Sequence, residues 1–221
     1  MKFRDLKILK DLIFFTKRDL FSINPDIPKK TIDANIYEWT KTGKIIRLKR
    51  GLFILKKKLD YYSRDLKTKI QFKEFVASRL CYPSYLSEEY VLSKNEILSE
   101  GIAGISSVTL KKTAAFNNKL NVFVFRNIKR DLFLGYKSKY FLGEYEYFEA
   151  TKAKALFDYL YRKSKTMSSK LKNRNLVSEL RLNLDTFLEK DFLELREYSN
   201  KFGKIKLLKI INNIIKNASN Y

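Results

Sequence analysis

The chain has 221 residues, 46 Lys and Arg against 24 Asp and Glu, and a formal net charge of +22; its length suggests two domains, and a surface this basic favours polyanions such as nucleic acid. Hydrophobic residues make up 45% and aromatics 14%, ample for a packed core and against general disorder. There is no histidine, which removes Ser-His and Cys-His nucleophilic pairs, histidine general bases and histidine metal sites, and the single cysteine, Cys81, allows neither an internal disulfide nor a cysteine metal cluster.

The charge is unevenly spread. Residues 1–58 hold 16 Lys and Arg against 6 Asp and Glu, a net +10, whereas residues 59–221 hold 30 against 18, a net +12 over nearly three times the length. The opening Met1-Lys2-Phe3-Arg4-Asp5 does not read as a signal peptide, and no apolar run reaches the roughly 18 residues of a membrane span. A cytoplasmic protein is the expectation, with Cys81 a buried thiol.

Lys2 to Leu12 reads as a first helix, with Phe3, Leu6, Ile13 and either Ile8 or Leu9 on its apolar stripe. Thr16 is placed to cap a short helix from Lys17 to Phe21. A longer helix begins near Pro28, because proline suits the first helical position. Ile32, Ile36 and Trp39 recur at spacings of four and three and share one face. Lys30, Asp33, Ala34, Tyr37 and Lys41 make the opposite face, small, polar or basic as a helix in a major groove requires. Gly43 ends the helix. Lys44 to Leu48, Lys49-Arg50-Gly51 and Leu52 to Leu55 then read as strand, turn and strand.

This order predicts an N-terminal winged helix-turn-helix over residues 1–58. Lys17 and Arg18 are expected to meet phosphate, and Lys29 is a further expected DNA contact. Lys30, Tyr37 and Lys41 are expected to face the groove, flanked by Thr31 and Asn35, with Asp33 accepting from a cytosine amino group or tuning repulsion. Lys49 and Arg50 are expected to touch phosphate or minor groove from the wing. A small helical domain with a solvated basic face is the plainer reading of the same residues.

Residues 56–65 read as a polar linker, and a second domain is expected over 64–221: mixed α/β with a small sheet and a helical C-terminal part. Leu66 to Leu80 is an amphipathic helix with Ile70, Phe72, Phe75, Val76 and Leu80 apolar. A short helix follows with Ser87 as N-cap. Ile105 to Leu110 and Leu120 to Phe125 are strand-like, the second expected to be buried on both faces. Shorter strands or turns are expected at Asp131–Tyr136 and Glu144–Phe148. Thr151 caps a helix to Tyr161 with Ala155, Leu156, Tyr159 and Leu160 inward. Residues 162–174 carry six cations and no acid, either a solvated loop or a second basic surface. Three helices close the chain, near 174–183, 188–200 and 204–216, the last with Ile205, Leu208, Ile211 and Ile215 on one stripe.

A metal-dependent nuclease would need clustered carboxylates. Glu144, Glu146 and Glu149 with Lys152 and Lys154 are the candidates, but Glu149 meets Ala150 and Thr151 before Lys152, the wrong spacing for a strand-borne Glu-x-Lys. A solvated strand edge is the expected explanation. No catalytic residue, metal or cofactor is expected.

The order of features resembles the AbiEi-type antitoxins of type IV toxin–antitoxin (abortive infection) systems. TKTGKIIRLKRGLFIL resembles the end of that family's winged helix. YPSYLSEEYVLSKNEI resembles its Tyr-x-Ser segment, ISSVTLKKTAAF its strand ending in Val-Thr, and IKRDLFLGY its Phe-x-Gly-Tyr turn. EATKAKALFDYLY resembles its Ala-Thr helix start, with Lys152 in place of the usual proline, and FLELREYSNKFGKIKLLKII resembles its closing helix pair. Together these cover most of residues 5–215. The resemblance implies a bifunctional phage-defence protein: a transcriptional repressor whose winged helix binds operator inverted repeats in double-stranded DNA, with two or more copies bound, and a C-terminal domain that neutralises a cognate nucleotidyltransferase-like toxin. A stand-alone winged-helix regulator with a ligand- or partner-binding second domain is the alternative.

Overall fold

A computed structural model of the chain describes residues 11–99, 104–167 and 174–218, together with Phe3, Leu6 and Leu9. The protein is mixed α and β and divides into two compact units. Unit 1 comprises Met1–Lys73 and Phe116–Asn121; unit 2 comprises Glu74–Ala115 and Val122–Tyr221.

Unit 1 is built on α1 (Lys17–Ile23), α2 (Lys29–Lys41) and an antiparallel hairpin of β1 (Ile45–Lys49) and β2 (Leu52–Leu55). Thr16 caps α1 through a box with Asp19, whose carboxylate accepts from the Thr16 backbone N–H at 2.6 Å. Pro28 occupies the N-cap of α2, one residue earlier than the first helical position. Gly43, at φ +70°, closes α2: its N–H donates to Thr40, and the Lys44 N–H reaches back to Trp39 at 2.9 Å. That is a Schellman termination, which needs a left-handed residue at this point. Ile32, Ile36 and Trp39 are all buried, packed with Leu6, Leu9, Phe15, Leu20, Ile45 and Phe53. Each such side chain contributes about 1.5–3 kcal/mol by leaving water, so the apolar stripe of α2 anchors the unit. Phe15 exchanges two backbone hydrogen bonds with Phe53, both 2.9 Å, adding a short third strand segment beside β2. Most of the expected helix over residues 2–12 lies outside the described residues.

The expected linker over 56–65 is instead mostly helical: α3 (Lys56–Tyr62) is followed by a short turn and α4 (Leu66–Leu80). Tyr62 explains the difference, because it is buried and stacks on Phe72 at 4.8 Å, which pins a polar segment to the core. The units divide within α4, between Lys73 and Glu74. Ile70, expected on the apolar face of α4, is 40% exposed.

The sheet of unit 2 is larger than the sequence suggested. β3 (Ser84–Leu86), β4 (Gly104–Thr109), β5 (Ala114–Asn117), β6 (Val122–Asn127), β7 (Tyr136–Phe141) and β8 (Tyr145–Ala150) lie in the order β5-β6-β4-β3-β8-β7. β4 runs parallel to β6, β3 antiparallel to β4 and parallel to β8, and β7 antiparallel to β8. β6 is buried on one face only: Phe123 and Phe125 point inward while Val122 is exposed, a period of two rather than the expected two-sided burial.

After the C-terminal part of α4, unit 2 continues with the α-helices α5 (Glu88–Lys94), α6 (Lys152–Lys163), α7 (Leu176–Glu179), α8 (Glu189–Phe202) and α9 (Ile205–Ala218). Thr151 caps α6 by accepting from the Lys154 N–H. The inner face of α6 includes Ala155, Leu156, Tyr159 and Leu160, but burial runs unbroken from Ala153 to Leu160. On α9 the buried set is Leu207, Ile210, Ile211, Ile214 and Ile215, and Ile205 is 74% exposed. The helical spacing of three and four therefore runs from Leu207, two residues later than expected. Residues 168–173 of the basic segment 162–174 lie outside the described residues; of the rest, Arg174 is held by Glu179.

Candidate nucleic-acid interface

In unit 1, α2 and the hairpin border an open groove of about 530 Å³. Lys17, Lys29, Asp33, Tyr37 and Arg50 line it, all of them expected DNA contacts. Arg47 lines it too and was not anticipated. Its signal was present in Ile45-Ile46-Arg47-Leu48, where one exposed arginine interrupts a buried run. Arg47 pairs across the hairpin with the buried Phe53. A bulge between Arg47 and Lys49 inserts Leu48, and Gly51 at φ +80° makes the turn. The bulge changes the side-chain alternation, so Arg47 and Arg50 share the groove while Lys49 stands half-buried outside its lining.

Tyr37 is 65% exposed, the most open aromatic ring of α2. Lys30, Thr31 and Lys41 are exposed on α2 and Arg18 is exposed on α1, all beyond the groove lining. Asp33 does not stand free, because its carboxylate takes the Lys17 ammonium in an ion pair linking α1 to α2. Both partners are nearly half exposed, so the pair orients side chains more than it stabilises the fold. Asn35, expected to flank the groove, is half-buried and its amide nitrogen is buried without a partner; it belongs to the packed side of α2.

Unit 2 contains two buried ionic clusters that patterning did not reveal. In the first, Lys154 and Asp158 on α6 pair one helical turn apart, each 1% exposed. Asp158 also accepts from Tyr85 Oη at 2.9 Å and Ser87 Oγ at 2.8 Å. Tyr85 and Ser87 are two residues apart on extended chain and so face the same way. Ser87 thus spends its hydroxyl on Asp158 and makes no side-chain cap to α5. The Lys154 ammonium lies over the rings of Tyr85, Phe157 and Tyr198 at 5.2–5.8 Å. Burial pushes Lys154 down and Asp158 up, and each partner opposes that drift in the other. Tyr85 also stacks on Tyr136 and packs on Phe133. Gly135, at φ +75°, lets the chain pass the Lys154 stem, where a Cβ would strike the Tyr198 hydroxyl. The segments carrying Tyr85 and Ser87, Phe133 to Tyr136, and Lys154 to Asp158 are separate in sequence and meet here.

In the second cluster Glu74, 1% exposed, accepts from Tyr90, Tyr147 and Lys94, each at 2.7 Å. Lys94 also reaches Glu149 at 2.6 Å. Burial alone would lower the Lys94 pKa, but Glu74 and Glu149 outweigh it and raise it. Burial and Glu74 push the Tyr90 and Tyr147 hydroxyls up, which keeps them protonated donors. The expected solvated edge holds only in part: Glu144 and Glu146 are exposed, but Glu149 is not and its strand is not at an edge. β8 lies between β3 and β7, Glu149 is buried and ion-paired, and Glu146 accepts from Ser138. Among the described residues, no group of His, Cys, Asp and Glu is arranged to hold a metal ion, and no helix is long and apolar enough to cross a membrane.

The chain matches no protein-family model and no curated protein.

Proposed function

We propose that unit 1 is a winged helix-turn-helix that binds double-stranded DNA, with α2 in the major groove and the hairpin as the wing. The supporting observation is the groove between α2 and the hairpin, where Lys17, Lys29, Arg47 and Arg50 flank the exposed Tyr37. Four cations on α1, α2 and the hairpin suit a phosphate backbone on either side of a helix that presents a polar, aromatic face to base edges. Lys30, Thr31 and Lys41 extend that face. The resemblance to AbiEi-type antitoxins supplies the second half of the reading: unit 2 neutralises a nucleotidyltransferase-like toxin in the cytoplasm, and unit 1 represses the operon that encodes both proteins. Consistent with it, three of the segments that carry the resemblance meet in the Lys154–Asp158 cluster and so share one physical task.

Fluorescence anisotropy with promoter DNA across a salt series tests the DNA reading. The wild type should show a steep log–log salt dependence, and R47A/R50A should flatten the slope by about 1.8, roughly 0.9 for each lost phosphate contact. K49A/R50A should weaken binding to all sequences alike. An unchanged slope in R47A/R50A refutes the wing assignment. For the second half, cells expressing the adjacent gene are grown with and without this protein. Toxicity relieved by the wild type and by R47A/R50A alike supports an antitoxin whose neutralising surface is separate from its DNA reader. A toxic neighbour that is never relieved refutes it and leaves the stand-alone regulator.

A further inference from the structure

Unit 2 carries a half-open cavity of about 270 Å³ bounded by α5, α6, β4 and β6. Glu88 lines it and is only 2% exposed. Its backbone is left-handed at φ +53°, a strained conformation for a residue with a Cβ and one that often marks a working position. Glu88 Oε2 accepts from Arg126 and from Arg162 Nε, the latter at 3.1 Å, while Oε1 accepts no hydrogen bond among the described residues. A carboxylate oxygen so deeply placed ordinarily has a donor. Arg126 also donates to Glu89 at 2.9 Å, and Arg162 pairs with Glu89 as well. Both guanidiniums keep further N–H donors beyond these bonds. Lys165 adds a third cation to the lining and has no carboxylate partner there.

The cavity thus offers an acceptor deep in its wall and an excess of cationic donors one hydrogen bond away. We propose that this cavity binds a small zwitterion, a free α-amino acid, with its ammonium on Glu88 Oε1 and its carboxylate on Arg126, Arg162 and Lys165. The adjacency of the two poles matches an ammonium and a carboxylate carried on one carbon. A nucleotide fits less well, because a sugar separates its base edge from its phosphate. The aromatic residue lining the cavity, Tyr161, is already engaged by two neighbours: Phe157 stacks on it at 6.3 Å from four residues before, and Lys165 lies over it at 4.9 Å from four residues after. The volume is below the roughly 300–1,000 Å³ of cofactor and drug-sized sites. Glu89, which bridges both arginines from a more exposed position, is the carboxylate that the ligand would displace. The inference is independent of DNA binding and of toxin neutralisation.

Isothermal titration calorimetry of the full-length protein against each of the twenty α-amino acids tests it. At least one should bind with a dissociation constant of about 1 mM or tighter, and its N-acetyl and carboxamide derivatives should each bind at least about tenfold more weakly, since each loses a charge-assisted contact. K165A alters an exposed rim residue and should weaken binding by a similar factor with an unchanged melting temperature. E88Q should abolish binding; if that variant unfolds, K165A and the two blocked derivatives still decide. No binding by any amino acid, equal binding by the blocked derivatives, or unchanged binding to K165A overturns the proposal. Tighter binding of nucleoside monophosphates, used as a parallel probe, would reassign the cavity to nucleotides.

Discussion

Replacing Lys154 by Met keeps a long unbranched stem among Tyr85, Phe157 and Tyr198 but removes the cation paired with Asp158. Both partners are 1% exposed, so water cannot screen the charge left behind. Breaking a buried pair from one side costs about 3–5 kcal/mol, which for a unit of this size lowers the melting temperature by about 9–15 °C. K154M/D158N should recover most of that loss, because Asn restores neutrality and keeps an acceptor for Tyr85 and Ser87. The pH dependence carries a definite sign. Burial already raises the Asp158 pKa, and loss of Lys154 raises it further. The folded variant then holds a proton that the unfolded chain releases above about pH 4, so stability falls as pH rises. The K154M deficit should be smaller at pH 5 than at pH 8. Thermal melts of wild type, both single variants and the double variant at those two pH values measure this. A double variant no more stable than K154M, with a deficit independent of pH, would refute an electrostatic role for the pair.

Asp33→Asn should release Lys17, raise affinity for unrelated DNA and steepen the salt slope by about 0.9 as Lys17 gains a phosphate; anisotropy on random duplexes checks it, and weaker binding would contradict the arrangement. Gly135→Ala places a Cβ against the Tyr198 hydroxyl and within 2.9 Å of the Lys154 stem, in a backbone region that L-residues avoid. It should cost well over the roughly 1 kcal/mol of left-handed strain alone. Gly51→Ala, with the same strain but nothing within 4 Å, supplies the comparison in denaturant unfolding.

Local patterning went far in unit 1. The Ile32, Ile36 and Trp39 stripe, the cap at Thr16 and the stop at Gly43 depend on neighbours within a turn or two, which a sequence displays directly. The same logic placed α4, α6 and the strands around residues 105–110 and 120–125. It missed Arg47 because the bulge at Leu48, a pairing irregularity, decides which way the hairpin's cations point. It missed β3, β5 and the full length of β7 because strands of three to six residues owe their existence to partners distant in the chain.

In unit 2 the same spacing carried opposite meanings. Lys154 and Asp158, four apart on α6, are the pattern of a solvated helix pair, yet α6 is buried on every side from Ala153 to Leu160. Glu149, one of two acids on β8, would suit a wet edge had β7 not covered it. Charge sequence records which groups exist and how far apart they lie along the chain. Only the packing of strands and helices decides which charges lose their water, and a charge that loses its water must find a partner. That requirement draws Tyr85, Ser87, Gly135, Lys154 and Asp158 to one point, and sets Glu88 against Arg126 and Arg162.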